Sequence, residues 1–277
     1  MAGQLFVVAT PIGNLEDITY RAVRILREVA AVACEDTRQT RKLLGHYRIA
    51  TPLISYHEHN EQERAAELVA RMREGESIAL VSDAGTPLVS DPGFRLVAAA
   101  IEAQITVTPI PGPSAALAAL AAAGLPTLAF RFYGFLPVKA SKREALLDSL
   151  RQAAETAVCY EAPHRIAESL EAIERILGGD RRMALAREIT KVHEEFLRGT
   201  VTAIRAEIGR RPTIKGEFTV LIGPAGETLP AESPASYHRQ VEELIARGVA
   251  RMEAVKQVAR SHGLGKRDLY RILYEDH

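Results

Sequence analysis

The sequence has few cysteines, no long apolar run and no excess of either sign of charge. Each of these absences excludes a class of protein. Its 277 residues include only two cysteines, Cys34 and Cys159, which stand far apart in apolar runs. Such cysteines are typical of buried thiols in a reducing compartment, not of disulfide or metal motifs. No apolar run reaches the roughly 20 residues of a membrane span, and the N-terminus lacks the pattern of a signal peptide. We therefore expect a cytoplasmic protein with no membrane partner.

Charge alone identifies no partner. Lys plus Arg and Asp plus Glu both number 35, so the formal net charge is zero. A protein without net charge has no overall field to hold a polyanion, and any contact with RNA must come from local patches. Hydrophobic residues make up 47% of the chain, which is enough for a substantial core.

The common nucleotide signatures are also missing. No G-x-G-x-x-G follows the first predicted strand, and no G-x-x-x-x-G-K-[ST] occurs anywhere, which argues against a dinucleotide site and a P-loop. The segment after that strand is instead TPIGNLEDIT, in which Gly13 is free to adopt a positive φ and Thr19 is suited to cap the next helix. A structured loop without a ligand is the alternative interpretation of this segment.

Apolar runs alternate with segments of helical spacing up to the breaker Pro111-Gly112-Pro113-Ser114, which predicts an α/β lobe with a mainly parallel sheet. A second α/β lobe follows the breaker, and the linker-like segment Gly223–Pro234 separates it from a helical tail. We predict an N-terminal lobe over residues 1–111, a second lobe over 112–224 and a helical domain over 235–277. The predicted strands are Leu5–Ala9, Ala31–Cys34, Leu53–Ser55, Ser77–Ser82, Ile105–Pro109, Arg131–Phe135, Thr156–Glu161, Met183–Ala186, Glu195–Thr200 and Phe218–Ile222.

Two turns are suited to a ligand. Ser82–Pro87 ends a predicted buried strand with a carboxylate, Asp83, and a glycine, Gly85, at the strand end where open α/β sheets bind ligands. Pro111–Ala115 precedes a helix whose first amides are unpaired. A tight turn and a simple helix cap are the alternative interpretations of these two segments.

Three polar clusters directly follow predicted strands, where functional groups tend to lie. They are Glu35–Arg38, Tyr56–Asn60 and Tyr160–Arg165. Their carboxylates are candidates for proton transfer, and Arg38 and Arg165 are candidates for phosphate contacts. His57, Glu58 and His59 lack Cys partners and an H-E-x-x-H helix, so we predict no metal site.

The tail carries apolar residues at helical spacing, and Ser261–Lys266 resembles the turn of a helix-turn-helix. An RNA-binding module and a purely structural helical cap both fit this pattern.

Several long motifs in order carry a family resemblance. They are LFVVATPIGNLEDIT, ACEDTRQTRKLL, SYHEHNE, LVSDAGTPLVSDPG, PIPGPSA, FYGFLP, YEAPHRI, REITKVHEEFLRG and KGEFTVLI. The sequence closely resembles the tetrapyrrole-methylase superfamily, and within it the ribosomal RNA small-subunit methyltransferase I family. The resemblance covers roughly the whole chain. It implies an α/β fold of two lobes with a small all-helical C-terminal domain.

The same resemblance implies an activity and a set of site residues. The implied reaction is 2′-O-methyl transfer from S-adenosylmethionine to a cytidine in the decoding region of 16S rRNA, on the small ribosomal subunit, by a homodimer. We assign catalytic roles to Glu35, Asp36 and Glu161, and substrate contacts to Arg38, His57, His164 and Arg165. The implied cofactor-binding residues are Pro11, Asp83, Ala84, Gly85, Ser114, Ala115, Tyr160, Ala186 and Gly216.

Two other functions stand as alternatives. The first is methylation of a tetrapyrrole carbon by the same fold, against which stand the basic cluster Arg38–Lys42 and the helical tail. The second is a nucleic-acid-binding regulator whose α/β body senses a ligand and whose tail reads DNA.

Overall fold

The structure, a computed structural model, describes residues 3–226, 234–261 and 266–274. The chain divides into two compact units, Met1–Ala225 and Gly226–His277. The first unit contains two five-stranded sheets, and the second contains helices.

The first sheet is entirely parallel and has the strand order β3-β2-β4-β1-β5. Side chains that alternate along β4 face two separate cores: Ile78 and Leu80 pack on one side, and Ala79 and Val81 on the other. Because helices cover both faces, the central strands β2 and β4 are buried and apolar at every position. The strands are β1 (Gln4–Val8), β2 (Ala31–Cys34), β3 (Leu53–Ser55), β4 (Ile78–Val81) and β5 (Thr106–Ile110).

Four helices cover this sheet, α1 and α2 on one face and α3 and α4 on the other. The hydroxyl of Thr19 accepts a hydrogen bond from the Ala22 N–H at the start of α1, as the sequence predicts. Asp36 caps α2 in the same way. The helices are α1 (Tyr20–Glu28), α2 (Thr37–His46), α3 (Glu61–Arg73) and α4 (Phe94–Glu102), and a short 3-10 helix spans Leu15–Asp17.

The second sheet is mixed, with the order β6-β7-β10-β8-β9. Only β6 and β7 are parallel; β10 lies between β7 and β8 and is antiparallel to both. The elements of this lobe are α5 (Ala115–Ala122), β6 (Phe130–Phe135), α6 (Ala140–Ser149), β7 (Thr156–Glu161), α7 (Ile166–Leu177), β8 (Arg182–Arg187), β9 (Glu195–Thr200), α8 (Val201–Gly209) and β10 (Phe218–Ile222).

The chain passes from the first sheet to the second through 111–114, the breaker that the sequence shows. Helix α5, which follows it, packs on the second sheet, where Ala116, Ala119 and Leu120 contact Val158 and Ala186. Helices α6, α7 and α8 cover the opposite face of that sheet. The two-lobed α/β architecture is therefore confirmed, while the lobe limits 1–111 and 112–224 stay predictions.

Both cysteines are buried free thiols, as predicted. Burial raises the pKa of the Cys159 thiol to about 12, and it raises the pKa of Cys34 as well. A thiol with a raised pKa is a poor nucleophile at neutral pH, which fits a packing role for both residues.

The C-terminal unit contains the helices α9 (Pro234–Ala246), α10 (Arg251–Ser261) and α11 (Lys266–Tyr274). They share a small core that includes Tyr237, Val241, Val255 and Leu269. Met252, near the start of α10, lies outside this core and is half exposed. Most of the predicted turn, residues 262–265, and linker residues 227–233 lie outside the described residues. Among the helices described, none is long and apolar enough to cross a membrane.

Candidate active site

A cavity of about 310 Å³ lies between the two lobes of the first unit. Residues from both lobes and from the breaker between them line it, so it lies where ligand sites commonly occur. Its lining residues are Ile12, Ala84, Gly85, Thr86, Val89, Ser90, Asp91, Ser114, Ala115, Phe135, Tyr160, Glu161, Ala162, Pro163, Ile189, Glu217, Phe218 and Thr219.

Gly85 shapes the turn after β4. Its N–H and its carbonyl both bond to Thr10, at 3.0 and 2.8 Å, which ties this turn to the end of β1. Gly85 has a φ of +82°, a conformation that costs other residues energy. Because both backbone groups are engaged, Gly85 positions its neighbours Ala84 and Thr86 along the cavity and does not itself offer an amide to a ligand.

The breaker and the start of α5 form the next part of the wall. Thr86 Oγ1 donates to the Pro113 carbonyl at 3.2 Å, which links the β4 turn to the breaker. Ser114 caps α5, with its Oγ accepting from the Leu117 N–H. The predicted cofactor residues Ala84, Gly85, Ser114 and Ala115 are thus brought together along one wall.

Tyr160 forms the opposite wall from β7. Its ring makes edge contacts with Phe132 and Phe135, at centroid distances of 5.0 and 5.5 Å, which hold the ring in place. Burial raises the pKa of the Tyr160 hydroxyl, so this group stays protonated at neutral pH.

Four other predicted cofactor positions do not line the cavity. Pro11 precedes the lining residue Ile12, and Gly216 precedes the lining residue Glu217. Ala186 is fully buried beneath α5. Asp83 is exposed, and its Oδ1 accepts from the Asp36 N–H at 3.1 Å.

Asp36 and Arg38 form an ion pair at the start of α2, with Nη2 and Oδ2 separated by 2.7 Å. The hydrogen bond from the Arg38 side chain holds the pKa of Asp36 at about 2. The Arg38 side chain is 83% exposed, so its remaining donors face solvent. Asp36 is therefore a poor proton acceptor, while Arg38 is free to meet a phosphate.

Glu35 is half-buried next to other acids. Burial raises its pKa first, and the charges of Asp83 and Glu58 raise it further. His57 lies on the same side and partly offsets these charges. The His57 Nδ1 atom is buried and has no hydrogen-bond partner among the residues that the structure describes. His57 and His59 stack edge to face at 5.9 Å, and the described residues include no cluster that would hold a metal ion.

Glu161 and Arg165 form a buried ion pair at the end of β7. Their side chains are 0% and 13% exposed, and Arg165 Nη2 lies 2.6 Å from Glu161 Oε1. Glu161 also accepts from the Ala162 N–H and the Ser169 hydroxyl, while Arg165 Nη1 donates to the Leu136 carbonyl. Arg165 is thus committed inside the fold, whereas its neighbour His164 is exposed.

Asp91 lines the cavity and was missed by the sequence analysis. It follows two non-glycine residues with positive φ, Leu88 at 72° and Ser90 at 70°. Burial raises the pKa of Asp91 to about 6, and the charge of Glu35 contributes to the rise. The sequence signal was present, because Ser90-Asp91 repeats the Ser82-Asp83 pair within one motif.

Known proteins match nearly the whole chain. The family model described as Tetrapyrrole (Corrin/Porphyrin) Methylases matches residues 4–205. A protein of Halalkalibacterium halodurans named Ribosomal RNA small subunit methyltransferase I is 48% identical, over 99% of this chain and 96% of its own length. A protein of the same name from Synechocystis sp. is also 48% identical, over 99% and 98%.

Among solved structures, uroporphyrin-III-C-methyltransferase from Thermus thermophilus superimposes with a TM-score of 0.55. It is 21% identical, covering 80% of this chain and 94% of that one, so the similarity supports the fold alone. The family match over both lobes and the near full-length identity to the two relatives together lead to one assignment. The chain belongs to the tetrapyrrole methylase family, and within it to the ribosomal RNA small subunit methyltransferase I group.

Proposed function

We propose that this protein transfers a methyl group from S-adenosylmethionine to the ribose 2′-hydroxyl of a cytidine in the decoding region of 16S rRNA. The acceptor is the small ribosomal subunit, and the working form is a cytoplasmic homodimer. The observation that carries the proposal is the cavity between the lobes, on which the SDAGTP, PGPSA and YEAP segments meet. Relatives matched over nearly their full length and named for ribosomal RNA methylation support the substrate class.

The cavity fits S-adenosylmethionine. Its volume of about 310 Å³ lies at the lower end of the range of small-molecule sites. Apolar side chains such as Ile12, Val89 and Phe218 provide surface for an adenine ring, and Ser114, Tyr160 and Thr219 provide polar groups for the rest of the cofactor. The bound cofactor supplies an activated methyl group.

The protein has two tasks, to align the acceptor hydroxyl and to remove its proton. Alignment is the larger one, since effective molarities of well-oriented groups reach about 10⁵ M or more. We assign Ala84, Gly85, Ser114, Ala115 and Tyr160 to holding the cofactor. Pro11, Ala186 and Gly216 support the lining residues that adjoin or pack on them, and Asp83 supports the wall by holding the start of α2 through the Asp36 N–H.

The RNA side of the site lies next to α2. Arg38 is exposed there, and Arg41 and Lys42 continue the basic surface along the helix. We assign phosphate contacts to Arg38, and contacts with the nucleotide to His57 and His164. Arg165 contributes by fixing the end of β7, because its guanidinium is already bound by Glu161 and Leu136.

Methylation of small subunits from cells that lack the enzyme tests the proposal. Purified protein is incubated with these subunits and labelled S-adenosylmethionine, and the modified nucleotide and its ribose position are mapped. Label on a decoding-region cytidine at the 2′-oxygen supports the proposal. Label on a base, or label on an added tetrapyrrole with none on the subunit, contradicts it. Specific binding of duplex DNA without methylation would favour the regulator instead. Light scattering of the purified protein measures the oligomeric state.

A further inference from the structure

Three carboxylates line the cavity, Asp91, Glu161 and Glu217, and their surroundings differ. Arg165 binds Glu161 at 2.6 Å, and Lys191 binds Glu217 at 3.0 Å. For Asp91, burial raises the pKa first, and the negative charges of Glu35 and Asp83 raise it further. The oxygens of Glu161 and Glu217 are thus already engaged by cations, which leaves Asp91 as the lining carboxylate available to a substrate hydroxyl.

The loop before Asp91 aims it at the cavity. Leu88 and Ser90 adopt left-handed backbone conformations, and the lining residues Val89 and Ser90 immediately precede Asp91. The loop is also confined from the second lobe, since a Cβ placed on Gly134 would lie 3.1 Å from Ser90 Oγ. Left-handed conformations of non-glycine residues are costly, and they persist where the surrounding structure enforces them.

We propose that Asp91 is the group that accepts the proton of the ribose 2′-hydroxyl during methyl transfer. This inference rests on the proposed function, and it replaces Glu35, Asp36 and Glu161 in that role. Asp36 is held by Arg38, and Glu161 already accepts from three donors. Glu35 does not line the cavity, but its charge contributes to the raised pKa of Asp91. Glu35 is therefore a positioning residue that keeps Asp91 basic.

The step is balanced in atoms and charge. The ribose oxygen forms a bond to the methyl carbon, while the carbon–sulfur bond breaks and its electron pair stays on sulfur. The hydroxyl proton passes to a carboxylate oxygen of Asp91, which becomes neutral as the sulfonium charge disappears. Asp91, which is partly exposed, then releases the proton to solvent. A pKa of about 6 keeps Asp91 ionised at neutral pH and still basic enough to share the proton during transfer.

The test compares Asp91→Asn with Asp148→Asn, the same change at an exposed residue of α6 that pairs with Arg151. Single-turnover methylation is measured at saturating small subunits and S-adenosylmethionine. We expect the Asp91→Asn rate to fall by about 100-fold or more, which is the usual contribution of a general base. Cofactor affinity by calorimetry and subunit affinity should stay within about twofold of wild type, since Asp91 acts only in the transition state.

The pH dependence of the rate separates a base from a structural residue. The wild-type rate should rise with pH through the titration of Asp91 near pH 6, and the Asp148→Asn protein should keep this rise. The Asp91→Asn protein should lose it. Asp91→Ala is the second variant, because it removes the carboxylate without placing an amide in the cleft, and circular dichroism verifies that both variants fold.

Several outcomes would overturn the assignment. An Asp91→Asn or Asp91→Ala rate within about twofold of wild type removes the role of base. A loss of cofactor affinity as large as the loss of rate would make Asp91 a cofactor ligand instead. The wild-type measurement separates the two proposals. If the wild-type protein does not methylate subunits, the proposed function fails, and this inference fails with it. If wild type and Asp91→Asn are equally active, only the inference about Asp91 fails.

Discussion

The Thr190 hydroxyl donates a hydrogen bond to Asp17 Oδ2, and these two residues belong to different lobes. Next to this bond, Lys191 packs on Gly13 so closely that a Cβ at position 13 would overlap it. Ile12 and Ile189, beside these residues in the chain, both line the cavity. The segments 12–17 and 189–191 therefore form a contact across the cavity, which we call the interlobe latch.

Loosening the latch should speed the release of cofactor. Thr190→Val removes the hydroxyl donor but keeps the shape and the branching of the side chain. Keeping the branching matters because Thr190 already adopts a positive φ, 65°. Loss of about 1 kcal/mol, a typical net hydrogen bond, corresponds to roughly fivefold faster dissociation of S-adenosylmethionine in stopped-flow measurements. The control is Thr202→Val, which removes a hydroxyl bond to Glu174 between two residues that do not line the cavity. Equal dissociation rates for the two variants would show that the latch does not gate the site.

Gly85→Val should weaken cofactor binding. A valine at a φ of +82° is strained, and the strain displaces Ala84 and Thr86 from the cavity wall. Gly124→Val is the matched control, because Gly124 has a φ of +70° with open space around it, and it does not line the cavity. Both variants should lose about 1–2 kcal/mol of unfolding free energy. Only Gly85→Val should lose about tenfold or more in calorimetric affinity. Unchanged affinity in a folded Gly85→Val protein would contradict the cofactor assignment.

Asp91→Asn should stabilise the protein at neutral pH. The pKa of Asp91 is about 6 in the folded protein and 3.8 ordinarily, so the folded state binds more protons between these values. The unfolding free energy of wild type should therefore fall as pH rises from about 4 to 6, relative to the asparagine variant. Because Asp91 is partly exposed, we expect a gain of about 1–2 kcal/mol for Asp91→Asn above pH 7. Denaturant unfolding at pH 4 and pH 7.5 measures it, and a gain of equal size at both pH values would contradict the raised pKa.

Arg38→Ala should weaken binding to the small subunit and flatten its dependence on salt. A phosphate contact releases counterions, so its loss reduces the slope of log affinity against log salt by roughly one unit. The control is Arg151→Ala. Arg151 is also an exposed arginine, and it pairs with Asp148, an acid near it in sequence. If log affinity falls with log salt at the same slope in both variants, Arg38 does not contact an RNA phosphate.

Removing the C-terminal helices should spare cofactor binding and weaken subunit binding. Truncation after Ala225 preserves the hydrogen bonds at the end of the first unit. The Gly223 N–H donates to the Arg182 carbonyl, the Ala225 N–H donates to the Ala153 carbonyl, and the Arg181 side chain donates to the Gly223 carbonyl. The first unit then keeps its whole cavity, because all lining residues lie before residue 220. Calorimetry and subunit sedimentation measure the two affinities. Full subunit affinity in the truncated protein would leave the helical tail as a structural cap.

Local sequence determined the elements and their order. The predicted strands Thr156–Glu161, Glu195–Thr200 and Phe218–Ile222 agree with β7, β9 and β10 residue for residue. Apolar runs, helical spacing and breakers such as Pro111-Gly112-Pro113 act over a few residues, so the sequence alone carries this information. Five of the nine cofactor positions predicted from the motifs line the cavity, and four of these five follow strands of the first sheet.

Only the tertiary structure decided which polar groups face the cavity. Ser82-Asp83 and Ser90-Asp91 look alike in sequence, yet Asp83 is exposed and holds the α2 backbone, while Asp91 lines the site. From the sequence, Glu161 and Arg165 are candidates for contacts with substrate, but in the structure they form a buried ion pair. The direction of a side chain depends on the loop conformation and on strand pairs far apart in sequence, such as β10 between β7 and β8. Local residue patterns do not encode those long-range contacts, so they do not show that Asp91 lines the cavity while Asp83 does not.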